Sequence, residues 1–193
     1  MRQWITELEA ANVGMIKYNE PLADYTTWKI GGPADVFVVP SNKDNLLATV
    51  RLLHRHGIPW MTIGKGSNML VSDKGYRGVV IKLGEGLNHC RIEGNVITAG
   101  GSYSLTKLTV MAGKAGLSGL EFAGGIPGSV GGAVYMNAGA HGSDVSRILV
   151  SAEVVLENGE LAVFSNEELQ FGYRHSVLQE RKGIVTEAVF QLE

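Results

Sequence analysis

Two glycine-rich stretches and one arginine are the parts of this chain with chemistry to offer. Between Gly119 and Gly142 eight of the 24 residues are glycine, and no Lys, Arg, Asp or Glu lies between Glu121 and Asp144. Backbone of that kind can run where a Cβ would collide with a neighbour or a ligand. Within it, Pro127 and Ser129 suit the opening of a short helix over 130–136, the proline in a first turn and the serine as a cap. A helix start stripped of side chains seats phosphate, because its orphan N–H groups and its dipole both favour an anion. A tight loop packed on a sheet is the plainer alternative. The glycine density, with polar Ser129 and Asn137 embedded, favours a ligand.

The second cluster is Gly64-Lys65-Gly66-Ser67-Asn68. It can point backbone N–H groups at phosphate, yet it is not a Walker loop, since Lys65 is followed by Gly66, and not a dinucleotide fingerprint, since Met69 stands where a third glycine belongs. On its own it reads equally as a strand-end turn or a phosphate cradle, with Lys65 adding charge or facing water. Arg174, in the polar run Tyr173-Arg174-His175-Ser176, can clamp a carboxylate or phosphate, or form a surface ion pair. His54, His56, His89, His141 and His175 have no metal-ligand spacing, and no metal is expected. Ser67 and Ser129 lie outside any nucleophile motif and serve better as hydrogen-bonding groups.

These loops need a frame. A short amphipathic helix opens the chain over 1–10, followed by a polar connection and a strand over 26–30 that Gly31-Gly32-Pro33 closes. Residues 34–63 read as strand, helix, strand, with Ser41 capping the helix and the two strands parallel. The Gly64 loop follows at the strand end. From Gly78 short strands begin a second subdomain: 79–83, then 90–93 and 95–99 across Glu93-Gly94-Asn95. A helix from Ser102 or Ser104 to Lys114 delivers the chain to the long glycine-rich stretch. Strands over 148–156 and 161–164 flank an Asn158-Gly159 turn. Ser165 and Glu168 form a capping box for a short helix ending near Phe171, and a last strand covers 184–192.

The 193 residues are 45% hydrophobic, enough for a core in one large domain or two small ones. A formal charge of −2 and a pI near 6.2 give no footprint for nucleic acid or a membrane surface. The single cysteine, Cys90, excludes an internal disulfide framework and sits in an alternating run that packs it. No stretch suits membrane insertion, the first helix lacks a signal peptide's apolar core, and a cytoplasmic protein is expected.

Three motifs together carry a resemblance. Gly64-Lys65-Gly66-Ser67-Asn68-Met69-Leu70, the run from Gly119 to Ala133 with Asn137-Ala138-Gly139-Ala140, and Tyr173-Arg174-His175-Ser176 resemble the UDP-N-acetylenolpyruvoylglucosamine reductase family; Thr27-Trp28-Lys29-Ile30-Gly31-Gly32 is similar to its opening. The match covers nearly the whole chain. It implies an α+β fold, the two-subdomain FAD-binding architecture of the vanillyl-alcohol-oxidase/PCMH type, with subdomains over 1–75 and 76–193 and FAD between them. By the same resemblance Gly64, Lys65, Gly66, Ser67, Asn68 and Met69 bind the cofactor. So do Gly124, Gly125, Ile126, Pro127, Gly128, Ser129, Gly131, Gly132, Ala133, Asn137 and Ala138. Tyr173 and Arg174 contact the substrate, and Arg174 is the catalytic residue.

Members of that family use NADPH to reduce FAD, which passes hydride from N5 to the enolpyruvyl double bond of a UDP-sugar, giving UDP-N-acetylmuramate for peptidoglycan. A fixed cation at Arg174 suits the negative charge that hydride addition sends into the substrate carboxylate. The family continues into a Gly-Ser-x-Phe-Lys-Asn-Pro motif, whose Ser or Cys donates a proton, and a third domain with a catalytic Glu; this sequence stops at Glu193. It is expected to be the flavin-binding portion, able to hold FAD and to turn over poorly or not at all. Two other readings stay open: a different flavin oxidoreductase of the same fold, and a non-catalytic nucleotide-binding module. The oligomeric state is not indicated.

Overall fold

A computed structural model describes residues 3–193, which divide into two compact units. Met1 and Arg2, the start of the expected first helix, lie outside the described residues.

The first unit covers residues up to Gly86 and takes in 157–160. Helix α1 (Gln3–Ala10) buries Trp4 and Leu8, and strand β1 (Gly14–Pro21) follows. A 3-10 turn (Leu22–Tyr25) leads into a loop rather than the strand expected over 26–30, and strand β2 spans Pro33–Pro40. Helix α2 (Lys43–Arg55) is capped by Asn42, not Ser41: the Asn42 side chain accepts from the Asn45 N–H at 2.9 Å. One face of α2 buries Leu46, Val50 and Leu53, as the apolar period of a helix requires. Strands β3 (Trp60–Ile63) and β4 (Tyr76–Lys82) complete a sheet of order β1-β2-β4-β3.

β2 and β3 are each parallel to β4, which lies between them. The expected strand, helix, strand unit is thus present with parallel strands, but its strands are not neighbours. β4 is the strand read as the start of the second subdomain; its hydrogen bonds put it in the first sheet, and the unit boundary falls after Gly86 rather than at 75/76. Leu22, Phe37, Ile63 and Val80 form the core here. The sheet thereby sets the end of β4 beside the end of β3, where the Gly64 loop begins.

The second unit holds residues 87–156 and 161–193. Strands β5 (Cys90–Glu93) and β6 (Val96–Gly100) form a hairpin, and helix α3 (Leu105–Lys114) is capped by Ser104, whose Oγ accepts from Lys107 N–H. Helix α4 (Val130–Tyr135) lies inside the glycine-rich stretch, followed by a two-residue hairpin of β7 (Gly139–Ala140) and β8 (Ser143–Asp144). Strands β9 (Leu149–Leu156), β10 (Leu161–Ser165) and β11 (Gly183–Gln191) join β5 and β6 in an antiparallel sheet of order β10-β9-β11-β6-β5. Leu105, Leu108, Val130 and Val134 from the helices pack with Ile97, Val154, Val185 and Phe190 from the sheet. The capping box exists, with Glu168 Oε2 accepting from Ser165 N–H at 2.8 Å, but residues 166–170 form only hydrogen-bonded turns. Burial raises the Cys90 thiol pKa, as suits a packed rather than a reactive cysteine.

Candidate functional site

In the first unit the loop leaves β3 at Ile63 and exposes Gly64, Lys65 and Asn68, with Ser67 and Met69 half-buried. Gly66 is buried at φ 62°, and a Cβ there would stand 2.0 Å from the Tyr25 carbonyl oxygen. Its own carbonyl accepts from the Thr27 N–H at 3.1 Å. The loop is therefore fastened to residues 25–27. Beneath it, Lys82 at the end of β4 donates from Nζ to the Gly64 carbonyl at 2.9 Å. Burial and the charge of Lys65 hold the Lys82 ammonium below the usual lysine range. The loop thus stands in the positive field of two lysines, which favours an anion nearby. Sequence reading missed Lys82, because only the pairing of β4 beside β3 carries it to Gly64.

In the second unit the expected anion seat at the start of α4 is not available. Val130 N–H donates to Tyr103 O (2.8 Å), Gly131 N–H to Gly101 O (2.9 Å) and Ala133 N–H to Ser129 O (2.9 Å). Gly132 N–H is taken by Ser129 Oγ at 3.3 Å. Ser129, buried with its hydroxyl aimed at its own helix, is thus a cap. Gly131 serves packing: a Cβ would come within 3.0 Å of Gly101 O and 3.1 Å of Val185 O. Ala133 is buried, and its carbonyl accepts from the Ala138 N–H at 2.8 Å.

The turn before the helix differs. Gly124 and Gly125 are exposed, neither has positive φ, and a Cβ at Gly125 would meet nothing within 4 Å. At Gly124 the nearest atom is 3.5 Å away. Neither the packing nor the backbone conformation asks for glycine there, and the turn presents bare backbone to its surroundings. Pro127 is exposed beside them, while Ile126 packs on the core and Gly128 O accepts from Leu105 N–H at 3.1 Å.

Tyr173 and Arg174 form the tip of a hairpin closed by Gly172 N–H to His175 O (3.1 Å) and His175 N–H to Gly172 O (3.2 Å). Arg174 sits at φ 54° with its guanidinium 5.3 Å from the Tyr173 ring, which is 91% exposed. Its Nη2 donates to Gly139 O at 2.5 Å. Among the described residues no carboxylate pairs with it, so the surface ion pair is not what holds it.

Asn137, only 2% exposed and at φ 41°, anchors this hairpin. Its Nδ2 donates to Gly172 O at 2.9 Å and its Oδ1 accepts from Ser146 N–H at 3.0 Å. Ser176 Oγ adds a bond to Tyr135 O at 2.7 Å, and Gln179 Nε2 one to Arg174 O at 3.0 Å. The glycine-rich stretch and the arginine hairpin are thereby one structure, with Asn137 as the buried link.

The first unit thus carries a glycine loop with two lysines, and the second carries bare glycine backbone and an arginine hairpin. The chain matches the FAD binding domain family over residues 34–165 and belongs to that family. It is similar to UDP-N-acetylenolpyruvoylglucosamine reductase of Bacillus licheniformis, 55% identical over 194 residues covering 100% of this chain and 64% of that protein. The Bacillus subtilis reductase of the same name matches with the same identity and coverage. Among solved structures, UDP-N-acetylenolpyruvylglucosamine reductase from Thermus caldophilus superposes with a TM-score of 0.79 at 36% identity, covering 93% of this chain and 62% of that one. The 4-ethylphenol oxidase from Gulosibacter chungangensis shares the fold alone, with a TM-score of 0.69 at 17% identity over 100% of this chain and 43% of its own. The fold is the α+β FAD-binding architecture of the vanillyl-alcohol-oxidase/PCMH type. The chain spans 64% of the length of those Bacillus relatives.

Proposed function

We propose that this chain is the FAD-binding part of an NADPH-dependent enzyme that reduces UDP-N-acetylglucosamine enolpyruvate to UDP-N-acetylmuramate, a step of peptidoglycan synthesis. The names and identities of the Bacillus relatives support that reading. The observation that carries it is Arg174, a guanidinium without a carboxylate partner among the described residues, fixed on a hairpin and tied to the end of the glycine-rich stretch. When bound, FAD supplies the hydride carrier between NADPH and the enolpyruvyl double bond.

The chain's own residues then have separable tasks. The loop over 64–69, with Lys82 behind it, takes the anionic middle of the dinucleotide. The turn of Gly124, Gly125, Pro127 and Gly128 gives bare backbone for close approach. Gly131, Gly132, Ala133 and Ala138 shape the wall behind it, and Asn137 positions the hairpin instead of touching the cofactor. Tyr173 flanks the substrate, and Arg174 stabilises the negative charge that develops on the substrate carboxylate. Soluble nucleotides as reductant and substrate suit a cytoplasmic setting. No helix of the described residues is long and apolar enough to cross a membrane.

The test is an NADPH oxidation assay on the FAD-loaded 193-residue chain, with and without the UDP-sugar enolpyruvate. The expected result is bound FAD with turnover at or near background. Robust enolpyruvate-dependent turnover overturns the assignment as a part. Turnover with another acceptor in its place points to a different oxidoreductase of this fold.

A further inference from the structure

Of the three tryptophans, Trp4 and Trp60 are buried, whereas Trp28 is 70% exposed. Leu70 is 76% exposed. Scattered exposed apolar residues need no explanation, but these two stand on segments laced together beside the Gly64 loop. Thr27 N–H donates to Gly66 O at 3.1 Å and Gly32 N–H to Ser72 O at 2.9 Å. A Cβ on Gly31 would stand 2.8 Å from Val71 Cβ, so the two segments also touch between those bonds. Trp28 therefore begins one residue from the peptide bonded to the centre of the loop.

The turn that presents Trp28 is preset. Thr26, buried, has its hydroxyl within reach of Ala23 O (3.3 Å) and Ile30 O (3.0 Å), and Lys29 N–H donates to Thr26 O at 3.2 Å. Lys29 is held at φ 57°, an uncommon conformation for a residue with a side chain. Within residues 25–34 and 64–72 the charged side chains are Lys29 and Lys65, and the acidic Asp24, Asp35 and Asp73 stand just outside these segments. An indole held out in water beside lysines matches a ligand with an anionic centre and a flat apolar ring.

We infer that Trp28, backed by Leu70, is the wall against which a planar ring of the bound dinucleotide lies. The inference rests on the FAD reading and adds a contact that the glycine motifs do not include. FAD carries a planar ring on each side of its pyrophosphate, so either the adenine or the isoalloxazine lies within a short linker of the loop. Ring stacking on an aromatic side chain contributes to affinity and is lost when that side chain is truncated.

The experiment measures FAD affinity by flavin absorbance for the unaltered chain, Trp28→Ala and Trp28→Phe, with acrylamide quenching of tryptophan emission alongside. Trp28→Ala is expected to bind FAD about tenfold more weakly, and Trp28→Phe within about threefold of the unaltered chain. Adding ADP should reduce quenching to that of Trp28→Phe if the adenine covers Trp28; if the isoalloxazine does, FMN should do so instead. Equal FAD affinity in Trp28→Ala, with quenching unchanged by either ligand, overturns this inference alone. An unaltered chain that takes up no FAD overturns the FAD reading and this inference together.

Discussion

At Gly66 an added methyl group would stand 2.0 Å from a backbone oxygen in a residue at φ 62°; at Gly125 it would meet nothing within 4 Å, at a φ any residue tolerates. The loop of the first unit uses glycine to pack against its own chain. The turn of the second unit uses it where the chain has no need of it. Both sit in stretches that look alike in sequence, so glycine density alone does not separate folding from binding. The separation comes from asking what each missing side chain would have touched.

The sharpest break of that comparison is at Gly66. Gly66→Ala collides with the Tyr25 carbonyl and is expected to cost about 3 kcal/mol, lowering the thermal midpoint by roughly 6–12 °C. A normal melting curve for that variant would remove the packing role assigned to this loop.

Asn137→Ala comes next. It removes one of two partners from the half-buried Ser146 N–H, which also donates to Asp144 Oδ1, and from the Gly172 carbonyl, which also accepts from His175 N–H, for about 1–2 kcal/mol. Asn137→Asp keeps the acceptor toward Ser146 and loses the donor toward Gly172. Thermal unfolding of the pair apportions the two bonds, and an unchanged midpoint in both contradicts the anchoring role.

Gly125→Ala should behave in the opposite way to Gly66→Ala. Stability is expected to stay level or rise by about 0.4–1 kcal/mol, because the free chain loses conformational freedom. FAD affinity is expected to fall about tenfold, since a methyl then stands where backbone met ligand. Equilibrium dialysis checks the second part; full affinity would mean that the ligand lies elsewhere.

Lys82→Met sharpens the other side. FAD affinity should drop by about tenfold or less, with riboflavin binding unaffected because it lacks the phosphates. Lys82 loses its proton at a lower pH than an ordinary lysine. The affinity of the unaltered chain for FAD should therefore decline as pH rises toward the ordinary lysine range, while Lys82→Met removes that part of the decline. A variant with the same pH profile as the unaltered chain would take Lys82 out of the anion site.

What the sequence disclosed was local. Caps, turns and the α4 segment follow from Ser104, Ser129 and Asn158-Gly159, whose effects reach only a few residues. Strand β1 escaped because its half-buried, polar run of Gly14–Pro21 lacks the apolar alternation of a strand facing a core. β4 went to the wrong unit because strand order is a long-range property, and its sequence is as apolar as any buried strand. The Ser165 cap formed without its helix, as Asn166 Nδ2 instead donates to Ser146 O and Leu149 O and Gln170 turns to φ 48°. At the site, the three motifs were visible as residue types. The spent N–H groups of α4, the placement of Lys82 and the two hydrogen bonds of the Asn137 side chain belong to folded geometry and had no local signal.

The most direct test is the visible absorption spectrum of the purified chain after adding FAD and removing the excess. A flavin band near one equivalent per chain is the expected result for a member of the FAD binding domain family. No band after reconstitution would contradict the proposal that this chain binds FAD.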